Sequence, residues 1–285
     1  MDKSATRIRP ITDAIANLPQ HPWIVAHRGD WRLAPENSIE AALLAFEQGA
    51  DMVEIDAQSI ADGTLVVIHD DTLDRTTTLS GLVRDLSSDA LEKGRLRESD
   101  GLGSALVTET PIPRLTEMLE ALRGKGLINI DTKVRSDLDA ACATVIDMGM
   151  TDQVLMKMIV SHDDDGSEFM GRPWFGKVPF MPVVLDAPLG TLVPAVSRIV
   201  MRLHSPMVEI QFRDIQDLLE LSLTLRPKGV GIWTNTLDPV HSLDLSDSRA
   251  LQDPAAVWQH LMDCGVDAIQ TDQCGALAKF MQRDC

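Results

Sequence analysis

Two histidines, His27 and His69, each close a short apolar run, and two carboxylates, Glu54 and Asp56, stand two positions apart between them. Imidazole changes charge near neutral pH, so such a pair can take a proton from one group and give one to another. In the run Met52-Val53-Glu54-Ile55-Asp56 the carboxylates alternate with apolar residues, and an extended chain would turn both to one face. Asn129, Asp131 and Lys133 repeat that alternation further along. Three carboxylates converging inside a protein would be costly unless a cation joined them. Their all-oxygen donor set suits one hard divalent ion, Mg²⁺, Ca²⁺ or Mn²⁺. Arg28, next to His27, and Lys133 add positive charge for an anionic group of a substrate. Acid–base chemistry on an anion beside a metal is what these residues can perform together.

Such groups work only if strands deliver them to one end of a sheet, where α/β folds assemble their sites. Apolar runs predict strands at 23–26, 52–57, 65–68, 127–132, 154–159, 178–184, 207–212, 229–234 and 268–271. Helical apolar spacing falls between most of them, at 38–47, 115–122, 138–148, 192–203, 215–225, 255–264 and 276–281. Asn37 or Ser38 can cap the first of these helices, behind Pro35. Asp62-Gly63 reads as a hairpin turn that makes 65–68 an antiparallel add-on. Setting that strand aside leaves the β–α alternation of a TIM (β/α)8 barrel, so residues 1–285 are expected to form one domain. Residues 71–113 interrupt the second β–α connection as a polar, glycine-bearing insertion. A connection of that length is usually functional or disordered, and it is read as an elaborated loop and not a second domain.

A chain of 285 residues has ample material for one barrel core. With 44% hydrophobic and 24% charged residues, it has the composition of a soluble globular protein. The net charge of −17 would repel nucleic acid and anionic membrane surfaces, so neither is an expected partner. Attraction of an anionic substrate must then be local, from Arg28, Lys133 and the bound cation. The first twenty residues lack the apolar core of a secretory signal, and no run approaches a membrane span. Cys142, Cys264, Cys274 and Cys285 lack paired-ligand spacing. Free thiols in a reducing cytoplasm are expected. No pattern points to a particular oligomeric state.

From residue 27 to residue 77 the chain reads HRGDWRLAPENSIEAALLAFEQGADMVEIDAQSIADGTLVVIHDDTLDRTT. Its HRG, PENS, E-x-D, HD and LDRTT elements, in that order and spacing, resemble the signature half of the glycerophosphodiester phosphodiesterase family. Weaker echoes are PIPRLTEML from Pro111, IDTK from Ile130, GIWTN from Gly231 and QTDQ from Gln270. The resemblance implies a metal-dependent phosphodiesterase that splits a small soluble diester into an alcohol and a phosphomonoester. It implies that His27 and His69 are the catalytic pair, and that Glu54, Asp56 and Asp131 hold the cation. Arg28 and Lys133 would bind phosphate, and the inserted segment would form a wall of the active site. Where the family pattern has I-E-x-K, this chain reads Ile130-Asp131-Thr132-Lys133, so the third ligand is one methylene shorter.

Trp233, near the end of the seventh predicted barrel strand, is expected to stack on a glycerol or sugar face, as its family counterpart lines the pocket. A core position is its alternative. Lys157, among apolar neighbours, is expected to face the mouth and a phosphate, since an unpaired lysine is costly in a core. Glu209 and Gln211 share a face and could bond hydroxyls. Of the remaining histidines, His162 in the loop 161–177 is the one placed to touch substrate. A sugar–phosphate–sugar diester of the agrocinopine kind is the alternative substrate. A lipid-headgroup phospholipase ranks lower because of the negative charge. A non-catalytic phosphodiester-binding barrel also ranks lower, because both histidines are present.

Overall fold

The computed structural model describes residues 10–17 and 21–282. Eight parallel strands close on themselves: β1 (Trp23–His27), β2 (Met52–Ser59), β3 (Leu127–Thr132), β4 (Val154–Ile159), β5 (Phe180–Val184), β6 (Met207–Ile210), β7 (Gly231–Leu237) and β8 (Ala268–Thr271). Closure is made by β1, which pairs with β8 through Trp23↔Ala268 to Ala26↔Thr271 and with β2 through Val25↔Met52 to His27↔Glu54. The TIM barrel expected from the alternation is therefore the fold. Leu65–Val67 runs antiparallel to β2, as the Asp62-Gly63 turn requires.

Apolar side chains on the outer strand faces pack beneath the surrounding helices Ile39–Glu47, Leu115–Leu122, Arg135–Asp147, Leu192–Leu203 and Ile215–Leu225. Shorter helices, Asp247–Gln252 and Cys274–Phe280 among them, complete the ring. The β4–β5 connection has only the single turn Ser167–Phe169 in place of an α-helix, among the described residues. Phe169, Trp174 and Phe180 fill that space, with ring centroids 4.9 and 5.4 Å from Phe180.

The pleat sorts the barrel interior into layers. Trp23, Val25, Met52, Leu127, Leu155, Met181, Met207, Trp233 and Ala268 form an apolar floor, closed below by Ile11 and Ile15 of the helix Ile11–Ala16. That helix was not anticipated from the sequence. One pleat higher on the same faces stand Glu54, Asn129, Lys157, Glu209, Asn235 and Gln270, all buried. A further pleat toward the C-terminal ends brings His27, Asp56 and Asp131 to the mouth. The side-chain period of two in the strands thus produces an apolar base, a polar middle and a reactive rim.

The first β–α turn is where backbone geometry matters most. Arg28 and Gly29 both have positive φ, 57° and 80°. A Cβ on Gly29 would lie 2.5 Å from the Ala41 carbonyl carbon, so only glycine lets the chain fold back onto the helix behind it. Ser38 caps that helix by accepting from the Ala41 N–H. Asn37, released from capping, turns to the barrel mouth at φ 58°. The inserted segment has its own apolar cluster, including Ile68, Leu73, Val83, Leu91, Leu96 and Ile112, beside the hairpin Arg95–Arg97/Val107–Pro111. Its polar composition hid these alternating inward residues.

Candidate active site

Glu54 and Asp56 project from adjacent pleats of β2, and Asp131 projects from β3 in register with Asp56. One carboxylate oxygen of each lies within 4.8 Å of the others. Two of these carboxylates are buried, and Asp131 is partly exposed. Asn37 grips Asp56 from both sides: its amide donates to Asp56 Oδ2 at 3.0 Å and its carbonyl accepts the Asp56 N–H at 3.2 Å. Lys133 Nζ stands 3.3 Å from both Asp56 Oδ1 and Asp131 Oδ2. Arg28 Nε approaches Asp56 Oδ2 at 3.4 Å, and the Arg28 N–H donates to Glu54 at 3.3 Å.

Burial alone would push the Asp56 carboxyl up, but Lys133 and Arg28 outweigh it and hold it below its ordinary range. Asp131 is raised by burial, which the two lysines only partly offset, and by the neighbouring carboxylates. Burial opposes the charge on Lys133, yet Asp56 and Asp131 keep its ammonium protonated above the usual range.

The histidines flank this cluster, and each has its own carboxylate. His27 Nδ1 donates to Asp272 Oδ1 at 2.8 Å, and Trp31 Nε1 donates to the same oxygen at 2.8 Å. His69 Nδ1 donates to Asp70 Oδ1 at 2.8 Å. Asp70 in turn accepts two bonds from Arg75, at 2.7 and 2.8 Å. Those bonds hold the Asp70 carboxyl down at about 2. Arg75 also makes a bidentate pair with Glu36, which receives Arg28 as well. A chain of ion pairs therefore runs from His69 and Asp70 through Arg75 of the inserted segment, Glu36 and Arg28 to Asp56.

Three comparisons place this geometry among known proteins. A sequence model of the glycerophosphoryl diester phosphodiesterase family matches residues 27–168. A second model, of a domain of unknown function, matches residues 180–281. A glycerophosphodiester phosphodiesterase of Caldanaerobacter subterraneus is 43% identical over 111 residues, covering 39% of this chain. The match spans 44% of that relative's length, less than half of it. The crystal structure of a glycerophosphodiester phosphodiesterase from Agrobacterium tumefaciens superposes over 90% of this chain and 99% of its own. Its TM-score is 0.67 and its sequence identity 27%. The chain belongs to the glycerophosphodiester phosphodiesterase family. A family structure from Parabacteroides distasonis supports the same fold, with a TM-score of 0.75 at 23% identity over 95% of this chain and 91% of its own.

Within this member of the family, His27, His69, Glu54, Asp56, Asp131, Arg28 and Lys133 gather at one end of the barrel. Two expected substrate contacts are corrected. Trp233 is fully buried in the apolar floor, because β7 continues to Leu237 and leaves it near the strand's start. It cannot stack on a substrate at the mouth. Lys157 is 3% exposed. Its ammonium is taken up by Glu209 at 3.0 Å, Gln270 at 3.2 Å and Glu54 at 3.5 Å, above the Trp233 ring. Its high pKa follows from those carboxylates overcoming its burial, and its role is to support Glu54 from below. Glu209 is likewise occupied by Lys157 and by Asn235 at 2.8 Å. Gln211 donates to the His241 carbonyl. His162 lies beside exposed Asp163 at 3.5 Å.

Several residues were given no part in the site from the sequence: Glu36, Asn37 (read only as a candidate helix cap), Asp70, Arg75, Trp31 and Asp272. The signal available was their position, since charged and amide side chains just beyond strand ends in an otherwise apolar pattern mark a barrel mouth. Beneath Asp272 lies one more such group, Asp247. Buried, it accepts the hydroxyls of Thr236 and Thr271, both at 2.6 Å, and the Asp272 N–H at 2.7 Å.

Burial pushes the Asp247 carboxyl up to about 6. A carboxyl raised in the folded state binds more protons there than in the unfolded chain. Its contribution to stability is thus full below the ordinary carboxyl range and is lost as pH rises through about 6. Asp247→Asn is therefore expected to gain stability relative to the parent between pH ~4 and ~8, by roughly 2–3 kcal/mol. Urea unfolding of both proteins across that range checks this.

Proposed function

We propose that this chain hydrolyses a small, polar, glycerophosphodiester-like substrate to an alcohol and a phosphomonoester. One divalent cation and two histidines do the work. The observation that carries the reading is the juxtaposition of two carboxylate-backed imidazoles with the Glu54, Asp56 and Asp131 trio at a single barrel mouth. An all-oxygen donor set with ligand atoms this close fits Mg²⁺, Ca²⁺ or Mn²⁺. When bound there, the cation would offset charge on the non-bridging phosphate oxygens.

The protein groups do the rest. With Nδ1–H donated to Asp272, neutral His27 presents a bare Nε2, the form that removes a proton from the attacking water or from a substrate hydroxyl. His69 gives a proton to the leaving alkoxide oxygen. The two supports favour this division of labour. Asp70 shares its charge with the Arg75 guanidinium, whereas Asp272 shares its oxygen with the neutral Trp31 indole. Asp272 therefore has more charge left to stabilise the imidazolium that a base becomes. Arg28 and Lys133 supply the local positive charge that an anionic diester needs in a chain of net charge −17.

A small substrate is favoured over a sugar-bearing one because Trp233, Lys157 and Glu209, the groups suited to a larger polar ligand, satisfy one another inside the barrel. A phosphodiesterase of Oleispira antarctica with this fold (TM-score 0.68, 22% identity) has been crystallised with its product sn-glycerol-3-phosphate, a ligand of the proposed size. A cytoplasmic setting is part of the proposal. It is supported by the free, buried thiols of Cys142, Cys264 and Cys274. No helix among the described residues is long and apolar enough to cross a membrane. Residues 1–9 and 18–20 and Cys285, on which that reading also drew, lie outside the described residues.

The test is a panel of glycerophosphodiesters, sugar phosphodiesters and lysophospholipids, assayed for alcohol and phosphomonoester release with and without chelator. Metal-dependent release from the glycerophosphodiesters is expected. Preference for the sugar diesters would transfer the reading to the opine-type substrate, and no release from any of them would reject it.

A further inference from the structure

The Asp272 carboxylate is held more firmly than a hydrogen-bond partner at a strand end needs to be. Its backbone N–H is fixed by buried Asp247, which also binds the hydroxyl of the preceding Thr271. That hydroxyl accepts the N–H of Gln273 at 2.9 Å, so three consecutive residues of the β8 exit are tied to one buried group. On the side-chain end, Trp31 and His27 both donate to Oδ1 at 2.8 Å. The indole comes from the first β–α connection and Asp247 from the short helix Asp247–Gln252 after β7. The clamp thus joins three separate connections around one carboxylate oxygen. A merely structural aspartate at this place would need neither the indole nor the buried carboxylate below it.

We propose that Asp272 is the positioning residue of His27, that Trp31 and Asp247 hold it in place, and that it fixes the imidazole with its proton on Nδ1 and a bare Nε2. The consequence rests on the proposed reaction. A carboxylate can only accept, so the ring nitrogen facing it must carry the hydrogen, and the remote nitrogen is free to act as base. Two donors converging on the same oxygen leave the carboxylate no low-cost rotation, so the ring plane is fixed along with the tautomer. Because Trp31 and His27 donate to the same Oδ1, an amide would keep its oxygen there and hold the tautomer, whereas Asp272→Ala leaves Nδ1 without its acceptor and lets the ring proton move to Nε2, the form that cannot act as base.

The experiment uses the full chain labelled with ¹⁵N-histidine at alkaline pH. The His27 signals are identified by their loss in His27→Ala. The parent is expected to show the proton on Nδ1, and Asp272→Ala to show it largely on Nε2 while still unfolding cooperatively on heating. With metal present, Asp272→Ala should lower kcat on the best diester by about 10²–10⁴-fold, with KM changed less than about threefold. Trp31→Phe, which keeps the carboxylate, should keep the Nδ1 tautomer and lose less than about tenfold in kcat. A parent with its His27 proton on Nε2, or an Asp272→Ala variant with unchanged tautomer, would overturn the inference. If no diester is turned over, the reaction assignment fails, and the tautomer measurement still decides the positioning role.

Discussion

His27→Ala should lower kcat on a glycerophosphodiester by about 10²-fold or more, and His69→Ala by a similar factor, the usual size of a positioned acid or base. The two losses should separate when the leaving group changes. An aryl phosphodiester releases a stable phenolate that needs no proton, so His69→Ala should approach parental rates on it. His27→Ala should remain slow on both substrates, because the attacking oxygen must still lose its proton. The side chains are 13% and 33% exposed and belong to no apolar cluster, so neither substitution should lower the melting temperature much. Steady-state kinetics on the two substrate types, beside thermal unfolding, check all three statements. Parental turnover of the natural diester by His27→Ala would remove the base from the mechanism.

The largest loss is expected at the carboxylates. Asp56→Ala removes a group that receives Asn37, Lys133 and Arg28 at once, and it should bring turnover to the metal-free background, a drop of about 10³-fold or more. Asp131 offers a finer comparison, because the family pattern has glutamate at this place. Asp131→Ala should fall nearly as far as Asp56→Ala. Asp131→Glu should stay within about tenfold of the parent, since the added methylene restores the family's ligand without removing the oxygen donor. Chelation of the parent should match the alanine variants and be reversed by added Mg²⁺, Ca²⁺ or Mn²⁺. The order of the three ions would show which the shorter third ligand prefers.

The parts of the structure legible in the sequence were those governed by short-range periodicity. The β–α alternation located every barrel strand, and the period of two correctly put Glu54, Asp56, Asp131 and Lys133 on one inward side. Depth along a strand was less legible. Trp233 and Lys157 were expected at the mouth because apolar runs do not show which end of a strand a residue occupies, and both lie one or two pleats below it. A lysine in a core seemed too costly to be structural, yet Glu209, Gln270 and Glu54 reach it from three other strands. No local pattern records that convergence. Asn37 and Ser38 were equal candidates for a helix cap on local grounds; Ser38 takes it, while tertiary contact with Asp56 decides the place of Asn37. The clamp on His27 was hidden for the same reason, as Trp31, Asp247 and Asp272 are far apart in the chain and meet only when β1 closes against β8.

The most direct measurement is a Mn²⁺ titration in which free ion is read by electron paramagnetic resonance and turnover of a glycerophosphodiester is assayed on the same samples. One Mn²⁺ per chain should bind, turnover should rise in proportion to occupancy, and both should vanish in Asp56→Ala. Full turnover by metal-free protein, or unchanged Mn²⁺ binding in Asp56→Ala, would contradict a metal-assisted phosphodiesterase centred on Glu54, Asp56 and Asp131.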